Sequence, residues 1–471
     1  MPELEQWIAA ESRIATGRML RAISATDLVV ERPGFGQRVV PSSGSVLASP
    51  ALAHYDPDPD YFFHWFRDSA IVIDALRVAL AAGYAEAASV ARFHEFLQFT
   101  RSLHAINGSE FLRRSNFRAR VQPAFLQYLR PDAEIAALSG DAVSADVRVN
   151  ADGTPDFIRW SRPQTDGPAM RCLALLRWRG QFKDLKAGAS CRALLDELIA
   201  SDLAFTRARV RLPSSGVWEE DSGYHYYTQL LQAEALRRGA EWLEELGESD
   251  EARVSRVAAE ETHARLDGYW CESAGFYRAC VTAEPGDRRA LDSAVVLAVL
   301  HGGRAHGAHS VLDPRAQATL GALEELFEAR YAINRERPPD RGAALGRYAD
   351  DRYYGGGAWF LTTLAAAEFY FRLAHALRAG ARVPSAAANT RFRQRLGTTE
   401  LAGERAAVLA VERGDAIMRT VQAFTPESGD LSEQFDQGTG AQTSAKHLSW
   451  SYAAFITAAA ARAQACQLRP S

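Results

Sequence analysis

Lysine is nearly absent from this chain. Lys183, Lys186 and Lys446 are the only three, so arginine supplies almost all of the 54 basic residues. Together with abundant alanine, that scarcity reads as GC-rich coding and a bacterial source, not as function. Cysteine is sparse too. Cys172, Cys191, Cys271, Cys280 and Cys466 form an odd, scattered set that does not build a disulfide framework. The absence of a C-x-x-C pair excludes the common structural zinc sites, and neither a metal nor a cofactor is expected. Long apolar runs are missing, so no segment is expected to span a bilayer. An excess of either charge is missing as well: 54 basic against 58 acidic side chains leave a net charge of −4. No basic field invites nucleic acid. The first residues, MPELEQWI, lack a basic stretch leading into an apolar one. No signal peptide and a reducing, cytoplasmic setting are therefore expected. What remains is ordinary for a folded protein, with 47% apolar and 24% charged residues over 471 positions. Nine Trp, 15 Tyr and 22 Phe can fill a large core and also line clefts.

Apolar residues recur at helical spacing through most of the chain. In 3–22 they are Leu4, Trp7, Ile8, Ile14, Met19 and Leu20. The same pattern predicts helices over 68–83, 85–103, 167–179, 189–204, 224–246, 249–265, 289–301, 314–331, 356–378, 402–422 and 445–467. Strand signals are short, at 27–30, 38–41 and 147–150. The long connections 54–66, 151–168, 213–227, 342–357 and 424–443 are rich in Gly, Pro, Asp and aromatics. Helical hairpins with elaborate loops on one side predict a ring of helix pairs. Length alone would allow about three domains. The best boundary candidate is 380–388, but helical pattern resumes soon after it, so one domain over 1–471 is expected, acting as a monomer.

The loops mix rings with opposite charges. They read YFFHWFRD at 61–68, WSRPQTDGP at 160–168, VWEE at 217–220, RYADDRYY at 347–354 and LSEQFD at 431–436. An aromatic face flanked by Arg and Asp suits a sugar: the ring stacks on its C–H face while the charged groups bracket its hydroxyls. Five such loops, in this order along the chain, resemble those of the glucoamylases, glycoside hydrolase family 15. The matching stretches are 60–71 (DYFFHWFRDSAI), 160–171 (WSRPQTDGPAMR), 217–220, 346–366 (GRYADDRYYGGGAWFLTTLAA) and 431–452 (LSEQFDQGTGAQTSAKHLSWSY).

The resemblance implies an all-α fold, an (α/α)6 barrel, and an exo-acting inverting hydrolase. Such an enzyme frees β-glucose from the non-reducing ends of α-1,4-glucans and oligosaccharides. It implies Glu219 as general acid and Glu433 as general base. Arg67 and Asp68 match the pair gripping the terminal glucose, and Arg347 a further sugar-binding arginine. Tyr61, Trp65, Trp160, Trp359 and Trp450 match rings lining the first subsites. Glu220 matches a carboxylate that meets the next sugar. Isomaltose- or dextran-cleaving glucosidases and trehalases are same-family alternatives, and a regulatory barrel binding glucan without hydrolysis is another.

The chemistry agrees with those roles. Inversion needs an acid at the leaving oxygen and a base activating water on the opposite face. Burial against Trp218 and the neighbouring Glu220 is expected to keep the acid protonated. The base is expected to stay ionised through hydrogen bonds and contact with water. Gly216, Thr165, His64 and Phe66 depart from the family pattern and are expected to flank the acid and the leaving-group side. No starch-binding module or N-terminal β-sandwich is read in the chain, so weak binding to raw starch is expected. His301, His306 and His309 have no metal-ligand spacing, and Asp292 reads as a core cap.

Overall fold

Runs of alanine and leucine, with valine, isoleucine and phenylalanine three and four positions apart, wind most of this chain into helix. The computed structural model describes residues 2–53, 57–181, 189–282 and 286–467. Among these, twelve helices have nine residues or more. They are α1 (Pro2–Arg21), α2 (Phe66–Ala81), α3 (Val90–Leu103), α4 (Asp166–Gln181), α5 (Ala189–Arg209), α6 (Tyr226–Glu245), α7 (Ser249–Leu266), α8 (Ala294–Gly302), α9 (Pro314–Arg330), α10 (Phe360–Arg378), α11 (Gly403–Phe424) and α12 (Ser449–Gln467). Each corresponds to one of the twelve stretches predicted from periodicity.

Helices α2, α4, α6, α8, α10 and α12 pack side by side, and α12 returns to α2, so they close a ring. The others lie outside it: α1 rests on α12, α7 on α6, α9 on α8, and α11 on α10. The two sets differ in pattern, as their positions demand. Inner α10 buries every residue from Phe360 to Phe371. Outer α11 buries one stripe, including Ala407, Ala410, Gly414, Ile417, Met418 and Val421. One apolar cluster draws side chains from all twelve helices, and each fully buried Leu, Ile or Phe adds about 1.5–3 kcal/mol. The candidate boundary 380–388 lies in the connection 379–402 between α10 and α11, which also carries the short helix Thr390–Leu396. Its Arg382–Val383 strand pairs with Leu401–Ala402.

Strands are short. Val30–Arg32 pairs with Gln37–Val39, and Phe63–Trp65 with Arg148–Asn150, so the strand signals at 38–41 and 147–150 fall on real pairs. That at 27–30 reaches one only at Val30. The long connections 22–65, 104–165, 210–225, 267–293, 331–359 and 425–448 each lead from an outer helix into the next inner one. They therefore gather at the end of the barrel where all six inner helices begin. The predicted loop 54–66 lies in this set, although its first three residues fall outside the described ones. Lys183 and Lys186 also lie outside them.

Candidate active site

The inner helices present their N-termini to one cavity of about 200 Å³. Trp65, Arg67 and Asp68 come from the entry into α2 and its first turn, and Trp160 from the approach to α4. Glu219 and Glu220 precede α6, while Arg347 and Trp359 precede α10. Glu433 precedes α12, and Trp450 sits in its first turn. With Tyr61, all eleven residues singled out from the sequence line this cavity. Tyr353, Val217, Leu361 and Leu448 join them. The positive ends of the inner helices face the same space, which favours ionised carboxylates there.

Glu219 adopts a left-handed backbone, φ 62°, a costly conformation for a residue with a Cβ. Its carboxylate accepts the indole N–H of Trp65 at 3.1 Å and that of Trp160. Arg67 Nη2 lies 3.0 Å away. These partners correct the expectation built on Trp218 and Glu220. The Trp218 indole donates instead to both oxygens of Asp292, each at 2.9 Å. Glu220 accepts from the Tyr348 hydroxyl at 2.6 Å and pairs with Arg347 at 2.9 Å. Asp292 also caps α8 by accepting the N–H of Ala294, the core-capping role read from the sequence. Burial pushes it up to about 7 against those donors.

Arg67 is the hub of the floor. It reaches Asp68 at 3.0 Å, Asp166 at 3.4 Å and Glu219 at 3.0 Å, and lies 5.3 Å from the Trp450 ring centre. Burial raises both Asp68 and Asp166, the latter to about 6, while Arg67 opposes the rise. Arg347 is committed to Asp351 through two hydrogen bonds of 2.7 and 2.6 Å. Its planar group also lies 5.2–5.5 Å from the centres of Trp218, Tyr353 and Trp359.

Glu433 is held by a small sheet in which Gln434–Phe435 pairs with Ala358–Trp359 and with Gln442–Thr443. Its carboxylate accepts the Ser444 hydroxyl. Tyr61 and Tyr353, joined hydroxyl to hydroxyl at 2.5 Å, stand beside it. The predicted exposure to water is corrected here: Glu433 faces the cavity but is only 3% exposed. Burial pushes it up to about 7, opposed by Ser444, Arg347 and Tyr61.

Residues 36–460 match the family described as glycosyl hydrolases family 15. The chain belongs to this family. It is 24% identical to Glucoamylase 1 of Rhizopus oryzae, over 98% of this chain and 72% of that protein. It is 26% identical to the intracellular sporulation-specific glucoamylase of Saccharomyces cerevisiae, over 98% and 85%. The solved glucoamylase of Hormoconis resinae superposes with a TM-score of 0.81 at 24% identity, covering 99% of this chain and 75% of that one. That of Saccharomycopsis fibuligera gives 0.80 at 22% identity, over 99% and 96%. The closed double ring is thus the (α/α)6 barrel, and the chain is a glycoside hydrolase. These relatives are fungal and lend no support to the bacterial source expected from the scarcity of lysine.

Three of the four departures from the family 15 pattern face away from the cavity, which corrects the expectation that they flank it. His64 Nδ1 accepts the N–H of Val46, and its ring packs on Phe99. Burial holds this imidazole neutral, down to about 3. Phe66 joins the apolar cluster of Phe99 and Leu103. Thr165 accepts from Gln232 at 3.1 Å. Gly216 alone lies beside the site, and a Cβ there would come within 2.9 Å of the His225 ring. His301 bonds Tyr227, and His309 bonds Tyr226. Among the described residues, no group of three or more His, Cys, Asp or Glu could hold a metal ion. Nor is any helix there long and apolar enough to cross a membrane.

The sequence missed Tyr353, and it missed the supports Asp166, Asp351, Tyr348 and Ser444. All five lie inside the stretches quoted for the family resemblance, yet only the meeting of distant loops shows what each one holds.

Proposed function

We propose that this family 15 hydrolase acts on chain ends of α-1,4-glucans and maltooligosaccharides, releasing β-glucose with inversion. The observation that carries the reading is the convergence of Glu219 and Glu433 on one cavity whose floor is built from inner-ring helices. Arg67, Asp68, Leu361 and Trp450 belong to α2, α10 and α12, and the barrel below them is filled by packed side chains. A chain end can enter such a cavity but a chain cannot thread through it, which supports exo action. The glucoamylase names of the relatives supply the linkage.

In this reading Asp68 and Arg347 bind hydroxyls of the terminal sugar, Arg67 orients Asp68 and Glu219, and Tyr61, Trp65, Trp359 and Trp450 pack its faces. Glu219 delivers a proton to the glycosidic oxygen. The bond to the anomeric carbon breaks as positive charge develops there, stabilised by the surrounding carboxylates. Glu433 takes a proton from water, which attacks from the opposite face. Glu220 and Trp160 stand on the leaving-group side.

The five cysteines are free, which supports a reducing, intracellular setting. Product identification after incubation with maltotriose, isomaltose, dextran and trehalose tests the function. Glucose release is expected chiefly from maltotriose. Preferential cleavage of isomaltose or dextran, or of trehalose, would reassign the linkage, and no cleavage of any would refute the catalytic reading.

A further inference from the structure

The connection from α7 to α8 ends in the segment DRRALD, 287–292. Asp287 turns the backbone by accepting the N–H of Arg289 through its side chain and that of Ala290 through its carbonyl, both at 2.9 Å. The turn sends two adjacent arginines to two different site loops. Arg288 donates to the backbone carbonyl of Asp350 at 3.0 Å and lies 5.9 Å from the Tyr348 ring centre. Arg289 reaches the opposite loop, with Nη1 3.3 Å from Glu220 Oε2 and Nη2 3.2 Å from Asp221 Oδ2.

Glu220 is the cavity residue that depends on this contact. On one flank it has Tyr348 and Arg347, but Arg347 is already engaged by both oxygens of Asp351. Arg289 is the cation on the other flank. Its side chain is 31% exposed, so it stands at the rim and not beneath the floor. A narrow crevice of about 30 Å³ is lined by Trp218, Glu220, Asp221 and Arg289.

We propose that Arg289 is a positioning residue for the sugar on the leaving-group side, acting through Glu220. The proposal rests on the function proposed above. If Glu219 protonates the leaving oxygen, the next residue along the chain faces the departing sugar. Glu220, fixed between Tyr348, Arg347 and Arg289, then presents one carboxylate edge to that sugar's hydroxyls. Without Arg289 the Glu220 carboxylate loses a flank and Asp221 keeps only His225, at 3.8 Å, while Arg67 and Asp68 keep their partners.

The test compares maltose with p-nitrophenyl α-glucoside, whose leaving group carries no sugar hydroxyls. Glucose release by the unsubstituted enzyme is measured first; inactivity on both substrates would overturn the function itself, before any variant is compared. In Arg289→Gln the ratio of kcat/KM on maltose to that on the aryl glucoside should fall about tenfold, chiefly through KM, a charged contact discounted for its exposure. Arg289→Lys should restore most of the ratio. The double variant with Glu220→Gln should be no slower on maltose than Glu220→Gln alone. Equal losses on both substrates, an unchanged ratio, no recovery with Arg289→Lys, or additive losses in the double variant would each overturn the proposal.

Discussion

Replacing Ser444 by alanine removes the hydroxyl that donates to Glu433 and should move the pH profile in a set direction. Glu433 stands at about 7 because burial penalises its charge, and Ser444 is first among the groups that oppose the rise. A hydrogen bond to a charged group contributes about 1.5–3 kcal/mol. The protonated carboxyl keeps some interaction with the same hydroxyl, so the difference between the two forms is smaller, about 1.4 kcal/mol, or one pKa unit. The base works ionised, so kcat/KM should rise with pH through a limb near 7 in the unsubstituted enzyme. In Ser444→Ala the limb should lie near ~8. The backbone at Ser444 is left-handed, φ 64°, but alanine and serine both carry a Cβ, so that strain is common to both.

Stability carries the same sign. Folding raises Glu433 from 4.5, so its contribution is fully present below about 4.5 and is lost as pH rises through about 7. Ser444→Ala should therefore lower Tm more at pH 8 than at pH 5. The assay is kcat/KM for maltose between pH 4 and 9, with melting curves at both pH values. A limb that stays in place or moves down, together with a pH-independent change in Tm, would refute the role given to Ser444.

Glu219→Gln and Glu433→Gln should each lower turnover on maltotriose by about 10²–10⁴-fold with unchanged circular dichroism. Retention of more than about a tenth of the activity would remove that residue from the mechanism. Asp68→Asn should raise KM and lower kcat together, for a loss of about 1.5–3 kcal/mol in transition-state binding. Unchanged kinetics would leave Asp68 as a partner of Arg67 alone. Because all five cysteines are free, dithiothreitol should not shift Tm. A clear fall would reveal a disulfide, with Cys271 and Cys280 the pair to map first.

The outer helices were legible because a half-buried helix leaves a 3.6-residue period in its apolar residues, and inner ones such as α10 because their apolar runs are too long for strands. Their starts were less so. Helix α8 begins at Ala294 and not at 289, because Asp292 caps it from outside. Helix α10 begins at Phe360 and not at 356, because Tyr354, Gly355 and Gly356 hold positive φ. The short helices Gly108–Ser115, Asp132–Ala136 and Asp141–Ser144 went unseen, being too brief and polar to show a period.

The rings and charges of the site stood out because a helical barrel has little reason to concentrate Trp, Arg and Glu in its loops. The hydrogen-bond partners did not. Trp65, Trp160 and Glu219 come from three separate connections, and no spacing shows that both indoles donate to one carboxylate. The burial of Glu433 was hidden for the same reason, since it depends on three strand segments from two connections meeting in one small sheet.

The pairing of Glu219 as acid with Glu433 as base is tested most directly by the first anomer released. If Glu433 activates water on the face opposite the leaving group, a single displacement inverts the anomeric carbon, and an α-linked substrate yields β-glucose. Proton NMR during the first minutes of maltotriose hydrolysis separates the anomers before they interconvert. Initial β-glucose is the predicted result. Initial α-glucose would mean two displacements through a covalent intermediate, and would contradict the role of Glu433 as a base.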